Sequence, residues 1–273
     1  MDKSVLITGA YGGMGLATVR ALKEKGFRVF ALDRIIGQPI EGVVPVEVDL
    51  TSEESVVKAF EKVKAETDEL FAIIHFAGVY MLDSLVEMES ADFEKIFKIN
   101  LGGVFLVNKI FLPLLNNGSR LIITTSELAP LDPLPFTGVY AVTKAALDKY
   151  AYSLRMELQL KGVKVSVLRA GAVDTGMLGV STDALDKFCN KTRLYQCNAA
   201  RFKRIVNSVE ARSIPPYKLA KKVSRILSKK NPRFAYAVNR NPLLRLLGVL
   251  PTKTQFFLIR QILKPSKKDK TDK

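Results

Sequence analysis

The sequence has one histidine, two cysteines and very few acidic residues in its last quarter. Each shortage excludes something. With His75 as the only imidazole, a Ser-His-Asp hydrolase would have to be built on it. Zinc sites of the common His/Cys-rich kinds lack enough ligands, so no metal is expected. His75 sits in the apolar run FAIIHFAG (71–78), where a hydrogen-bonded structural role is the expected one. Cys189 and Cys197 share one polar segment and match no metal or redox spacing, which reads as free thiols in a cytosolic-type protein.

No uninterrupted apolar run reaches membrane-spanning length. The opening MDKSVLITGA enters an apolar strand-like run directly, so no signal peptide is expected. Residues 1–199 carry 22 Lys/Arg against 24 Asp/Glu, a balance of −2, whereas residues 200–273 carry 20 against 3, a balance of +17; together they give the net +15. A nucleic-acid surface spread over a fold would not segregate this way, and no stacking motif accompanies the basic end, so no nucleic-acid partner is expected.

What is present is a chain of 273 residues, 48% hydrophobic, enough for one large core. Apolar runs at 4–9, 28–33, 43–50, 71–78, 119–126, 164–171 and 233–238 read as strands. Helical patterns at 14–26, 51–66, 92–115, 138–160 and 215–230 separate most of them. Near-continuous apolar strands alternating with helices predict an α/β fold: a Rossmann-type doubly wound parallel sheet of about seven strands, helices on both faces. Ligands on such a sheet bind beyond the carboxyl ends of its strands. The domain is expected to span 1–238, followed by a basic amphipathic extension at 239–264 and a mobile tail at 265–273.

The first strand runs into TGAYGGMG (8–15) and then a helix. Gly9, Gly13 and Gly15 allow a tight turn and close approach of backbone to a pyrophosphate, and Gly12 adds freedom. Asp33 closes the second strand, where a carboxylate accepts from ribose hydroxyls and repels a 2′-phosphate, favouring NAD over NADP. The neighbouring Arg34 is able to pair with that phosphate. Tyr140 and Lys144 are four residues apart and share one helix face. Alone, such a pair reads as a solvated surface.

Taken together these segments resemble the single-domain short-chain dehydrogenase/reductase family, from residue 4 to about residue 238. TGAYGGMG has the family's T-G-x-x-x-G-x-G spacing, Asp49 in VDL matches the adenine-contacting position, and Tyr140 with Lys144 in YAVTK matches Y-x-x-x-K. Asn100 in KINLGG and Ser126 in IITTSELAP match the remaining catalytic positions. Three departures stand out. His75-Phe76 replaces an Asn pair before Ala77-Gly78, and Ala170-Gly171 replaces Pro-Gly. The Ser126-to-Tyr140 spacing is one residue long, which leaves Thr125 and Glu127 as register competitors of the favoured Ser126.

The resemblance implies a catalytic group of Asn100, Ser126, Tyr140 and Lys144. It implies a cofactor cradle from Gly9, Tyr11, Gly12, Gly13, Met14 and Gly15, with Asp33, Arg34, Asp49 and Leu50 toward the adenosine. Ala77, Gly78, Gly171, Val173 and Thr175, with Tyr140 and Lys144, complete it. A phenol whose ordinary pKa is about 10 needs neighbouring positive charge to act as a base near neutral pH. Ser126 would stabilise charge on the reacting oxygen, and Asn100 would position a water beside Lys144.

Residues 175–211 correspond to the family's substrate lid. There Met177, Leu178, Leu185, Phe188, Tyr195 and Phe202 either line an apolar pocket or pack onto the core. A lipophilic alcohol or ketone, of steroid or retinoid type, is the implied substrate. Residues 240–264 form two amphipathic pieces broken at Pro251. They fit peripheral contact of a cytoplasmic protein with an anionic membrane surface, or packing on the domain or a subunit partner. A homodimer or homotetramer is implied by helices 92–115 and 138–160. The competing functions are a sugar-nucleotide-modifying enzyme and a non-catalytic nucleotide sensor. The first generally needs a longer chain, and the second commonly loses the Tyr or Lys that stand here.

Overall fold

Ser4–Thr8 (β1) is buried along its whole length because it is flanked on both edges, by Arg28–Asp33 (β2) and Leu70–His75 (β4). The structure, a computed structural model, describes residues 3–210 and 212–264, without the side chains of 177–182 and 207–210; the expected tail at 265–273 lies outside these residues. The remaining strands are Val43–Glu47 (β3), Leu115–Ser126 (β5), Lys164–Ala170 (β6) and Ala235–Val238 (β7). All seven pair in parallel, in the order β3-β2-β1-β4-β5-β6-β7. The strand order reverses between β1 and β4, which opens a crevice at the carboxyl ends of those two strands.

Helices cover both faces. Glu53–Lys64 (α2), Gly103–Phe111 (α4) and Gly138–Leu158 (α5) close one core around Leu6, Phe30, Ile73, Phe111 and Ile123. Gly13–Lys23 (α1) and Pro216–Leu227 (α8) close the other around Val5, Ile7, Ile74, Leu168 and Val223. Ser52 caps α2, its hydroxyl accepting from the Ser55 N–H at 3.2 Å. This satisfies one of the donors that a helix start leaves open.

The expected long helix at 92–115 is broken into parts. Ser90–Phe97 (α3) passes into a π-helical stretch, Lys98–Gly102, before α4, and Leu112–Leu114 is a 3₁₀ turn. β5 then starts at Leu115, four residues earlier than its apolar run suggests. Ser90–Leu114 is long and apolar enough to cross a membrane by length and composition. Here it packs within the domain, with Val104, Val107 and Phe111 buried.

The lid region folds as two helices, Gly176–Lys191 (α6) and Gln196–Glu210 (α7). The extension is helical on either side of Pro251, as its pattern suggests: Pro242–Gly248 (α9) and Thr252–Leu263 (α10). It is tied to the lid. Asn198 Nδ2 donates to the Leu263 carbonyl at 2.7 Å, and Arg201 Nη1 to that of Lys264 at 2.9 Å.

Candidate active site

The glycine loop is shaped by what surrounds it. Gly9 has φ +65°, and a Cβ there would stand 2.6 Å from the Ala77 nitrogen. Only a glycine fits both the backbone angle and the space. A Cβ on Gly13 would meet Thr175 at 2.5 Å, so the loop after β1 and the loop after β6 press against each other. Gly12 is the N-cap of α1 with no side-chain cap, and no acidic residue lies in the first turn. The open N–H groups and the positive end of the helix are left for an anion.

Asp33 is held in place from both sides. Its Oδ2 accepts from the Tyr11 N–H at 2.9 Å and its Oδ1 from the Arg34 N–H at 2.8 Å. The carboxylate thus locks the end of β2 to the glycine loop. Asp49 accepts from both the N–H and the hydroxyl of Thr51 at 2.8 Å, which, with Arg34 and Lys98 nearby, holds it below the usual carboxylate range. Leu50 packs beneath α4, its Cβ 3.0 Å from where a Cβ on Gly103 would be. Val173 is buried and bridges to Ile214. These residues line up along the carboxyl ends of β1, β2, β3, β4 and β6, and their donors and glycines suit a dinucleotide.

The catalytic candidates converge at the next strand ends. Ser126 closes β5, and its hydroxyl is near enough to the Tyr140 phenol on α5 to lower its pKa. Of the three neighbouring candidates, Ser126 is the one beside the Tyr140 phenol. Thr125 points the other way, its hydroxyl donating to Asp148 Oδ1 at 3.2 Å, and Glu127 accepts from the Asn241 N–H at 2.6 Å. Burial pushes Tyr140 up to about 12, partly offset by the Ser126 hydrogen bond. Lys144 is buried one turn further along α5, its Nζ 5.8 Å from the centre of the Tyr140 ring and 3.4 Å from the Thr124 carbonyl. Loss of hydration brings it down to about 8. The protein alone therefore keeps the phenol protonated, a proton donor. Lowering it further requires additional positive charge in the cleft.

Asn100 lies in the π-helical stretch and is fully buried. Its Oδ1 accepts from the Val79 N–H at 2.8 Å, and its Nδ2 donates to the Val79 carbonyl at 3.0 Å and to Thr143 Oγ1 at 3.1 Å. Both amide protons are spent, so the side chain pins the loop after β4 to α5 and has no donor left for a water. A Cβ on Gly78 would meet Asn100 Oδ1 at 3.1 Å and Lys144 Nζ at 3.4 Å. Ala77-Gly78 is thus the close-packed wall behind the lysine.

His75 is structural, as its apolar setting suggests. Its Nε2 is 2.9 Å from Asn108 Oδ1, and burial lowers it to about 4, so it stays neutral. Of the lid residues, Phe188, Leu185 and Phe202 are buried in a cluster with Leu82 and Phe136. Phe188 stacks on Phe136 at 4.6 Å, so it packs the lid down. Tyr195 lies at the edge of that cluster and faces a cavity. The side chains of Met177 and Leu178 lie outside the described residues.

Sequence reading missed several supports. Tyr80 stacks edge-on against Tyr140 at 4.9 Å. Asp148, one turn beyond Lys144, takes Arg169 Nε at 2.9 Å and Nη2 at 2.6 Å. Two charges inside otherwise buried segments, Arg169 in KVSVLRAG and Asp148 in the helix, were the available signal, because buried charges are paired.

A doubly wound sheet with a glycine cradle at its switch point, and a tyrosine, lysine and serine beside it, defines a dinucleotide-dependent oxidoreductase. The comparisons with known proteins agree. The family model for short chain dehydrogenase matches residues 3–186, and the chain belongs to that family. It is 37% identical over 184 residues to "Uncharacterized oxidoreductase YbbO" of Escherichia coli K12, covering 64% of this chain and 67% of that one. Estradiol 17-beta-dehydrogenase 2 of Mus musculus is 34% identical over 200 residues, 68% of this chain and 52% of that longer protein. Among solved structures, a short chain dehydrogenase from Burkholderia cenocepacia in complex with NADP aligns at a TM-score of 0.72, 22% identical, covering 97% of this chain and 98% of the other.

Proposed function

We propose that the protein transfers a hydride between NAD(H) and a lipophilic secondary alcohol or its ketone, with Tyr140 as the proton donor and acceptor. The convergence of Ser126, Tyr140 and buried Lys144 at the carboxyl end of β5 carries this reading. Gly9, Tyr11, Gly12, Gly13, Met14 and Gly15 would hold the pyrophosphate, Asp33 the ribose, and Gly171, Val173 and Thr175 the nicotinamide end. Bound there, the nicotinamide supplies the hydride chemistry. For a ketone, the Tyr140 phenol hands its proton to the substrate oxygen while Ser126 donates to the same oxygen as charge develops. In the alcohol direction the phenolate takes that proton, with the Lys144 ammonium favouring the anion.

The case for NAD rests on Asp33, whose carboxylate ends β2, held by the Tyr11 and Arg34 N–H groups, and would repel a 2′-phosphate. Relatives point both ways: one solved structure contains NADH and another NADP. The apolar character of the lid supports a lipophilic substrate, and estradiol 17-beta-dehydrogenase 2 is consistent with that class. The protein would work in the cytoplasm as a homodimer or homotetramer. The test is a screen of steroids, retinoids, acyl ketones and simple ketones, following nicotinamide absorbance with both cofactors. No turnover with any of them, or full turnover by Tyr140→Phe, overturns the reading.

A further inference from the structure

The cavity that Tyr195 faces, of about 700 Å³, lies where α10 meets the loops preceding α3 and α5. That volume is in the range of small-molecule sites, about 300–1,000 Å³. Tyr140 is not among its lining residues. The two are linked through Gly138, which lines the cavity at the start of the helix that carries Tyr140, and through Tyr80, which packs against Tyr140 and against the cluster holding Phe136 and Tyr195.

The walls are chemically one-sided. Leu85, Leu134, Phe136, Phe256, Ile259 and Leu263 supply apolar surface, and among the described residues no acid lines the space. Among them, Arg260 and Lys264 are the charged lining groups. On α10, positions 256, 259/260 and 263/264 recur at helical spacing, so the apolar wall and the two cations share one face. Both basic residues are exposed, and neither forms an ion pair with a described residue. No Asp or Glu occurs from residue 211 to residue 268, so no acid in that stretch is available to neutralise them. Burial of apolar area holds an alkyl chain, and a paired cation selects the sign of its head.

We propose that this cavity binds an anionic amphiphile, the alkyl chain against Leu134, Phe136 and Leu263 and the anionic head at Arg260 and Lys264. None of Ser126, Tyr140 and Lys144 lines this cavity, and the proposal does not rest on hydride transfer. Two sources share this chemistry: a free acyl or alkyl anion, and an anionic phospholipid at a bilayer surface. The second is supported by Phe256 and Phe257, 69% and 59% exposed on the same helix.

The test is displacement of a dansyl-labelled undecanoate from the full-length protein; with no tryptophan in the chain, its emission is read without indole background. Decyl phosphate is expected to displace the probe at a concentration at least tenfold below that of decyltrimethylammonium. Arg260→Gln with Lys264→Gln, and separately the double change to Glu, are expected to weaken decyl phosphate at least tenfold, with unchanged circular dichroism and thermal melting. Tyr140→Phe is expected to bind as the parent does, which separates this site from the proposed catalysis. Displacement by monomeric decyl phosphate alone identifies a free anion. Displacement by phosphatidylglycerol vesicles, and not by phosphatidylcholine ones, identifies the bilayer source. Equal competition by the cationic amphiphile, no displacement by any anion, or no loss in the well-folded double variants overturns the proposal.

Discussion

The main-chain N–H of Asn241 donates to Glu127 Oε2 at 2.6 Å, tying the residue after the proposed catalytic serine to the first turn of the C-terminal extension. The same carboxylate approaches the loop after β6, its Oε1 2.9 Å from where a Cβ on Gly171 would be. Burial raises the Glu127 pKa, against the lowering effect of the Asn241 hydrogen bond and Arg240.

Two consequences follow for Glu127. Replacing it with Ala leaves a donor unpartnered and is expected to cost about 1–3 kcal/mol in denaturant unfolding. Because its folded pKa lies above its unfolded value, the folded state holds more protons between the two, and stability falls as pH rises through that window. Glu127→Gln keeps an acceptor and is expected to flatten that part of the stability–pH curve.

Lys144 gives a dependence of the opposite sign at higher pH. Its folded pKa of about 8 is below the ordinary 10.5, so the unfolded chain binds more protons between those values. Stability is expected to rise with pH across that window, relative to a Lys144→Met variant. Parallel melts from pH 7 to 10 measure it; identical slopes for both proteins would contradict a buried, easily deprotonated lysine.

Tyr140→Phe is expected to lower kcat by about 10²–10⁴-fold while leaving dinucleotide binding within a few-fold. In the free protein, the tyrosinate absorbance difference between parent and variant is expected to appear near pH 12 rather than 10, as the phenol pKa of about 12 requires.

The Asp148–Arg169 pair is bidentate and largely shielded, with buried Asp148 also accepting from Thr125. Asp148→Ala is expected to destabilise the protein by about 1–3 kcal/mol, because Arg169 and Thr125 lose their shielded partner. Replacing both with apolar residues of similar volume is expected to recover most of that loss, measured as a double-mutant cycle.

Asp33→Ser removes a fixed carboxylate from beside Arg34. The ratio of kcat/KM for NADP to that for NAD is expected to rise at least tenfold, a change of about 1.4 kcal/mol. An unchanged ratio would remove Asp33 as the discriminating group.

The sheet, its parallel sense and the order of its motifs were legible in the sequence because they depend on local signals. Apolar runs of strand length, TGAYGGMG between a strand and a helix, and the four-residue spacing of Tyr140 and Lys144 all act over a few residues. Those same signals left the register at Ser126 open among three neighbours. Their tertiary contacts differ: Ser126 lies beside Tyr140, while Thr125 and Glu127 are bonded to Asp148 and Asn241. The π-helical turn at Asn100, the burial of Phe188 against Phe136, and the docking of α10 on the lid depend on contacts between residues far apart in the chain. Periodicity carries no record of such contacts. Composition alone showed that the C-terminal quarter is basic; the fold decided that two of those cations, Arg260 and Lys264, stand at the mouth of an apolar cavity.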